Sequence, residues 1–340
     1  MAIRKGRTII FDKGINIRSS AAAVGVKEGK GPLAAYFDHI AEDDMMGEAT
    51  WEKAETRLQK TALEKALSKA SLSAGELDMI LAGDLLAQCI ASVFSARETG
   101  VPFFGQYGAC STMAQELIIG SLLCESGAFS RVAAVTSSHF CSAERQFRMP
   151  LEYGGQRTLT AQWTVTGAGA VILEENSSDI RIADAVPGVI TDMKVKDTAN
   201  MGAAMAPAAA DTILTYLRDM NATPSDFDMI LTGDLGNVGS ELLVELLRRE
   251  GTDISSVHND CGKLIFDQSE QDVHSGGSGC GCCASVLSSC IANMLYTGKL
   301  SNILFIATGA LMSPVSSAQG ESIPGIAHLV HIVSEKGCKG

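Results

Sequence analysis

The chain has 340 residues, 46% of them hydrophobic and 19% charged, with a formal net charge of −12. That apolar share supports a substantial core and argues against disorder. The acidic balance argues against a nucleic-acid partner, whose affinity rests on cations that neutralise phosphates. It leaves room for a local basic pocket for a small anion.

The ten cysteines fall mostly in apolar or glycine-rich runs, and the N-terminus shows no apolar core of leader length. Free thiols in a reducing compartment are therefore expected. The longest apolar segments, such as 303–312, fall well short of the roughly 20 residues a membrane span needs. Any membrane contact is expected to be peripheral.

Taken in order, residues 7–15 are rich in Ile and Phe and predict a first strand. Gly25, Gly29, Gly31 and Pro32 predict a structured loop over 16–48, with one short helix near 33–41. Residues 50–70 form the clearest amphipathic helix, with Trp51, Leu58, Leu63 and Leu67 on one face. Next comes Asp-Met-Ile-Leu-Ala-Gly-Asp-Leu at 78–85. It returns at 228–235 as Asp-Met-Ile-Leu-Thr-Gly-Asp-Leu, with seven of eight residues identical. The flanks agree: Ser73 with Glu76, and Thr223 with Asp226, each fit a reciprocal helix cap. The pattern reads as an internal duplication in which each copy is a buried strand ending in a turn.

A helix to about residue 99 follows the first copy, closed by Gly100. A strand at 101–107 leads into Gly108-Ala-Cys-Ser-Thr112 and an apolar helix over 111–126. A strand at 131–136, a polar excursion at 137–162 and a strand at 165–174 complete the first half. The second half repeats the order: a helix at 209–220, the repeat strand at 229–233 and a helix at 240–249. A strand with an insertion (252–279), a helix at 281–297 and a strand at 302–308 follow. Cys110 then lies opposite Cys280. Two halves, 1–178 and 179–340, are each expected to supply a strand layer with helices on both sides, an α/β body of pseudo-two-fold symmetry.

A duplicated β-α-β body in which Gly-Ala-Cys opens a buried helix resembles the thiolase and ketoacyl-synthase superfamily. Val-Thr-Gly-Ala-Gly-Ala-Val-Ile-Leu at 165–173 matches the strand that closes the first half in those enzymes. More narrowly, the chain resembles the family of stage V sporulation AD proteins. The stretches that carry this are Gly108-Ala-Cys-Ser-Thr112, Ser137-Ser-His139, Ala143-Glu-Arg-Gln-Phe-Arg148, Glu152-Tyr-Gly-Gly-Gln156, Met205-Ala-Pro-Ala-Ala-Ala210 and Gly276-Gly-Ser-Gly-Cys280. The resemblance implies a thiolase-like fold and a role in moving dipicolinic acid (pyridine-2,6-dicarboxylate) into the developing spore. It implies peripheral association, on the cytoplasmic face of the spore inner membrane, with the other stage V membrane proteins. It calls for no cofactor except calcium travelling with the ligand. Members of the superfamily pair through the strand preceding the cysteine, so 101–107 is where a homodimer would form.

Three readings of Cys110 stand side by side. As a nucleophile, it gains from a helix N-terminus that lowers its pKa, but acyl transfer also needs a base and an oxyanion donor. Where ketoacyl synthases place a histidine after the second repeat strand, this chain has Gly233-Asp234-Leu235-Gly236. The thiolase Gly-His-Pro segment is only loosely echoed by His274-Ser-Gly-Gly. If the chain were an enzyme, Cys110 and His274 would be its catalytic residues. The other readings are a small buried thiol, and a thiol lining a binding pocket inherited from the enzyme site.

A dipicolinate pocket needs cations or N–H donors and a flat apolar wall. The excursion after residue 137 carries His139, Arg145, Arg148 and Arg157 beside Phe147 and Tyr153. The expected contacts are Arg145 or Arg148 on a carboxylate, with His139 and Tyr153 edging the ring. The alternative is that these arginines pair with Glu144, Glu152 or Asp84. Asp84 and Asp234 end the two repeat strands and read first as helix caps. Asp84 is the better ligand candidate, directly or through calcium. Cys280-Gly-Cys282-Cys283 lacks the spacing of paired metal hooks and reads as small-residue packing. Gly276-Gly-Ser-Gly279 reads as a glycine turn into the last long helix, not as a phosphate loop.

Overall fold

The structure is a computed structural model that describes residues 1–147 and 157–338. Strand β1 (Ile3–Lys5) pairs back on the 17-residue β2 (Thr8–Val24), which a short β3 (His39–Ile40) also flanks. The segment read as a loop from residue 16 is thus strand as far as Val24. Its Ser19, Ser20 and Ala21–Ala23 run is buried, because small residues are what a central strand tolerates between packed helices.

Helix α1 (Trp51–Ala70) follows the expected span. Thr50 caps it by accepting from Lys53 N, and Ser71 ends it in the left-handed region at φ 57°. Its buried Leu58, Leu63 and Leu67 are each worth about 2 kcal/mol of burial. Then come β4 (Met79–Gly83), α2 (Ile90–Ala96), β5 (Phe103–Gln106), α3 (Thr112–Glu125) and β6 (Arg131–Ser138). The polar excursion holds a helix, α4 (Phe140–Phe147). After it come β7 (Trp163–Thr164) and β8 (Gly167–Glu175).

Strand β9 (Ile180–Val186) opens the second half. Helix α5 (Met201–Met220) begins eight residues before the expected start and carries Pro207 inside it. Next are β10 (Met229–Thr232), α6 (Gly236–Arg249), β11 (His258–Asp260), α7 (Cys261–Leu264) and β12 (Gly277–Ser278). Helix α8 (Cys280–Val286), a π-turn (Leu287–Ile291) and α9 (Ala292–Tyr296) form the last long rod. Strand β13 (Asn302–Ala310), α10 (Pro314–Ala318) and β14 (Gly325–Ser334) finish the fold.

The main sheet runs β11-β10-β13-β14-β9-β2-β8-β6-β4-β5. Outward from the β9–β2 seam the two sides match strand for strand. In each, the first three strands alternate antiparallel and the last three are parallel. The repeat strands β4 and β10 take equivalent places, one in from each edge.

Side chains alternate across the pleat. Leu81, Val132 and Leu173 face a shared interior with Ile303, Phe305 and Val330 of the other side. Ile80, Val135 and Ile172 pack outward on α1, and Leu304, Ile306 and Leu329 pack outward with residues of α5 and α6. Helices α3 and α8 fill the shared interior, and α3 touches strands of both sides. The layers are helix, strand, helix, strand, helix. Among the described residues no helix is long and apolar enough to cross a membrane.

Candidate functional site: a thiol cavity at the start of α3

Strand β5 ends in a tight elbow that presents Cys110. Ala109 adopts φ +49°, a conformation that costs a non-glycine residue on the order of 1 kcal/mol. The elbow is fixed by Ser111 Oγ donating to Gly108 O (2.7 Å), Thr112 Oγ1 donating to Ala109 O (2.7 Å) and Gly108 N donating to Thr112 Oγ1 (3.1 Å). A side chain at Gly309 would meet Gly108 O at 2.6 Å, so the end of β13 packs directly on the elbow.

Cys110 faces a small cavity between the two sides, with about 40 Å³ open to the centre of a water molecule. Leu85, Ala143, Phe147, Met201 and Met312 give it apolar walls, and its polar lining comes from Tyr107, Glu144, Thr164 and Ser278. No Arg, Lys or His is among the described residues that line it. Glu144 accepts from Thr164 Oγ1 at 2.7 Å.

Behind the cavity, bonded to its lining residue Gly279, lies Asp234 at the end of the second repeat strand. It is 1% exposed. Its Oδ1 accepts from Thr308 Oγ1 at 2.8 Å and its Oδ2 accepts from Gly279 N at 3.0 Å. Burial first, then the Asp234 carboxylate, hold the Cys110 thiol well above its ordinary pKa. A helix N-terminus favours an anion by about 0.3–1 kcal/mol, whereas full burial shifts a group by as much as 3–5 pKa units. The dipole argument for an acidic thiol therefore loses. Asp234 is itself raised to about 7, chiefly by burial.

The other expected site residues are dispersed. Asp84 is fully buried as a structural acceptor: Leu86 N donates to Oδ1 (2.8 Å), and Ser92 N (2.8 Å) and Ser92 Oγ (2.6 Å) donate to Oδ2. His139 is buried under the 40s loop, with Nε2 against Asp44 O at 2.8 Å and Nδ1 accepting from Cys141 N at 3.2 Å. Burial lowers its pKa. Arg145 is paired with Glu52 and lies over Trp51 in an outer cleft. Arg157 pairs with Asp272 at 2.9 Å. The arginines are paired, though with partners other than those expected. Arg148 and Tyr153 lie outside the described residues.

His274 is a correction to the catalytic alternative. It does not line the cavity; its Nδ1 meets Thr158 O at 2.6 Å and its Nε2 meets Asp272 Oδ1 at 3.0 Å. The sequence signal that could have singled out Asp234 is its place after the second repeat strand. Looking there for an imidazole alone passes over the carboxylate.

The thiols near the last helix are engaged by carbonyls. Cys280 Sγ donates to Ser137 O (2.9 Å), Cys282 Sγ to Gly233 O (3.7 Å) and Cys283 Sγ to Cys110 O (3.6 Å). Gly276 (φ +104°) and Gly279 (φ +97°) make the expected glycine turn. Gly281 brings α8 so close to β8 that a Cβ would sit 2.2 Å from Gly167 O.

Comparison with known proteins agrees with this architecture. Solved structures similar to the chain include 3-oxoacyl-[acyl-carrier-protein] synthase III from Aquifex aeolicus VF5. The TM-score is 0.57 at 15% identity, covering 94% of this chain and 100% of that one. Cerulenin-bound Xanthomonas OleA gives 0.61 at 15% identity over 97% and 99%. At such identity these establish the thiolase-like fold alone. In sequence, the chain is 43% identical to stage V sporulation protein AD of Bacillus subtilis (strain 168) over 328 residues, 96% of this chain and 97% of the relative. The family described as Stage V sporulation protein AD (SpoVAD) matches residues 5–333. The chain belongs to the stage V sporulation protein AD family.

Proposed function

We propose that the chain is a non-catalytic binding protein whose cavity beside Cys110 takes dipicolinate, in support of its uptake into the developing spore. The observation that carries this reading is the lining beside Cys110, which among the described residues holds apolar side chains and Glu144 but no Arg, Lys or His. Acyl transfer through a thiol needs a base that relieves it of its proton and donors for the oxyanion. Here the described lining offers no imidazole.

The apolar walls suit a flat ring. The ligand is dipicolinate or its calcium chelate, calcium being a hard cation that prefers oxygen ligands. No other cofactor is called for. The protein works as a peripheral subunit beside the stage V sporulation membrane proteins, on the cytoplasmic face of the spore inner membrane. It pairs with a second copy through β5, the sheet's edge strand, where Phe104 is 52% exposed.

Calorimetric titration with dipicolinate and with calcium dipicolinate tests the proposal. Saturable one-site binding of one of the two forms is expected. Absence of heat with both ligands would leave a structural subunit with a dead cavity and overturn the reading.

A further inference from the structure

We propose that a second pocket, across β7 from the Cys110 cavity, binds a small planar carboxylate, with Lys27 and Lys30 meeting the anionic group and the Phe140–Trp163 ring pair forming the wall. The proposal goes beyond the reading of the Cys110 cavity and does not need it. Alternation along β7 turns Thr164 into that cavity and Trp163 into this pocket.

The pocket has about 250 Å³ open to the centre of a water molecule. Phe140 and Trp163 stack in its wall, with ring centroids 4.0 Å apart and 12° between their planes. Such a flat aromatic surface suits a planar ligand. The rim is the turn Glu28–Lys30, just after β2. Glycines seat this turn: a Cβ on Gly29 would lie 2.3 Å from Ile40 Cγ2, and one on Gly31 would lie 2.2 Å from Ile265 O. Gly25 N ties its start to Thr166 O at 2.8 Å. The lysines are thus carried on a fixed piece of backbone, which lowers the ordering cost of binding.

Their charge is not neutralised locally. Lys27 Nζ lies 3.7 Å from the centroid of Trp163 and donates to a backbone carbonyl, Asp272 O, at 3.2 Å. Arg157 lies over the same ring at 4.8 Å and is paired with the Asp272 carboxylate at 2.9 Å. Among the described residues Lys30 has no ion-pair partner. Asp44 faces the lysines from the 40s loop. The remaining acid of the lining, Glu28, is 1% exposed. Thr166 N donates to its Oε1 at 3.0 Å, and its Oε2 has no hydrogen bond. Burial raises Glu28 to about 7. Protonated, it is a donor without an acceptor, and a carboxylate supplies one. A cationic ligand would instead meet Lys27, Lys30 and Arg157.

The chain has two tryptophans, so Trp51→Phe leaves Trp163 as the reporter. The experiment titrates benzoate into the full-length Trp51→Phe protein at pH 6.5 and constant ionic strength, reading tryptophan fluorescence. A saturable change is expected, and acetate, which lacks the ring, should give none at the same concentrations. Lys27→Ala and Lys30→Ala, each in that background, should weaken benzoate roughly fivefold or more. Lys65→Ala, on the exposed face of α1, should leave the midpoint where it was.

No change at Trp163 with millimolar benzoate would overturn the proposal. So would midpoints for Lys27→Ala and Lys30→Ala equal to that of Lys65→Ala. Acetate acting with the benzoate midpoint would overturn it as well, by marking a site for charge alone. Each of these failures leaves the Cys110 reading untouched, because its calorimetry does not use Trp163.

Discussion

The two copies of the eight-residue repeat do the same work at one end and different work at the other. At their starts, Asp78 accepts from Ser130 N (2.6 Å) and Arg131 N (3.0 Å), and Asp228 accepts from Ser301 N (2.7 Å) and Asn302 N (2.9 Å). Each clips its strand to the next parallel strand. At their ends, Asp84 satisfies the backbone of its own loop, while Asp234 accepts from Thr308 Oγ1 of β13 and Gly279 N before α8. The loop after the second copy is served instead by Asp260, which accepts from Leu235 N (2.9 Å) and Gly236 N (3.0 Å). Divergence sits at the carboxyl ends of parallel strands, where open α/β sheets place their ligands. Identical residues thus describe a shared scaffold and conceal a specialised site.

The sharpest way to break this comparison is to make one substitution in both copies. Asp84→Asn turns an amide toward the Ser92 N–H and hydroxyl, leaving buried donors without an acceptor, and should cost about 3 kcal/mol. Asp234→Asn keeps an acceptor for Thr308 or Gly279 and sheds a charge that burial disfavours, so its change should stay within about 1 kcal/mol. Urea denaturation of the two variants measures both; equal losses would show that the ends had not diverged in role.

The pH dependence of stability is a second test. Under the first copy, Glu55 of α1 accepts from Ser137 Oγ (3.1 Å) and Ser142 Oγ (2.8 Å) and is raised to about 8 by burial and then Asp84. Glu28 and Asp234 are each raised to about 7, mainly by burial. A raised carboxyl binds its proton more tightly in the folded state. Its contribution is therefore complete below the unfolded value near 4–4.5 and is lost as pH rises through 7–8. The melting temperature should fall from pH 5 to 9. Glu55→Gln should flatten that fall, its advantage relative to wild type growing from about pH 5 and levelling off above pH 8. A variant curve parallel to wild type would remove Glu55 from the account.

Smaller effects sharpen the comparison at the shared ends. Ser73 N and Oγ donate to Glu76 at 2.9 and 3.0 Å, and Thr223 N and Oγ1 donate to Asp226 at 2.7 and 3.1 Å. Ser73→Ala and Thr223→Ala should each cost about 1 kcal/mol, alike within error by thermal melts. Smallest of all, His274→Ala should cost under about 1 kcal/mol and leave Cys110 alkylation unchanged. A changed alkylation profile would reopen His274 as a partner of the thiol.

How much of this was legible in the sequence follows from which signals are local. The duplication, α1 with its Thr50 cap, α3 and the strands around it follow from periodicity and capping residues. Strand β2 beyond residue 15 is hidden because a buried run of Ser and Ala lacks the branched residues that mark strands. The first turns of helix α5 are hidden because Pro207 signals a break in sequence, yet α5 runs through it from Met201 to Met220. In the site, Cys110 is visible from its place before an apolar helix. Asp234 is 124 residues away in sequence, and only the folding of the two sides around α3 brings it behind the cavity. Arg145 and His139 look like ligand residues because their chemistry fits an anion. Their direction, toward Glu52 and toward Asp44 O, is a tertiary fact.

The most direct measurement is the intact mass of the protein after incubation with acetyl-CoA, with the modified residue located by peptide mapping. An unmodified Cys110 is the predicted result. An acetyl group carried stably on that sulfur would contradict the account and make the chain an acyl-transfer enzyme.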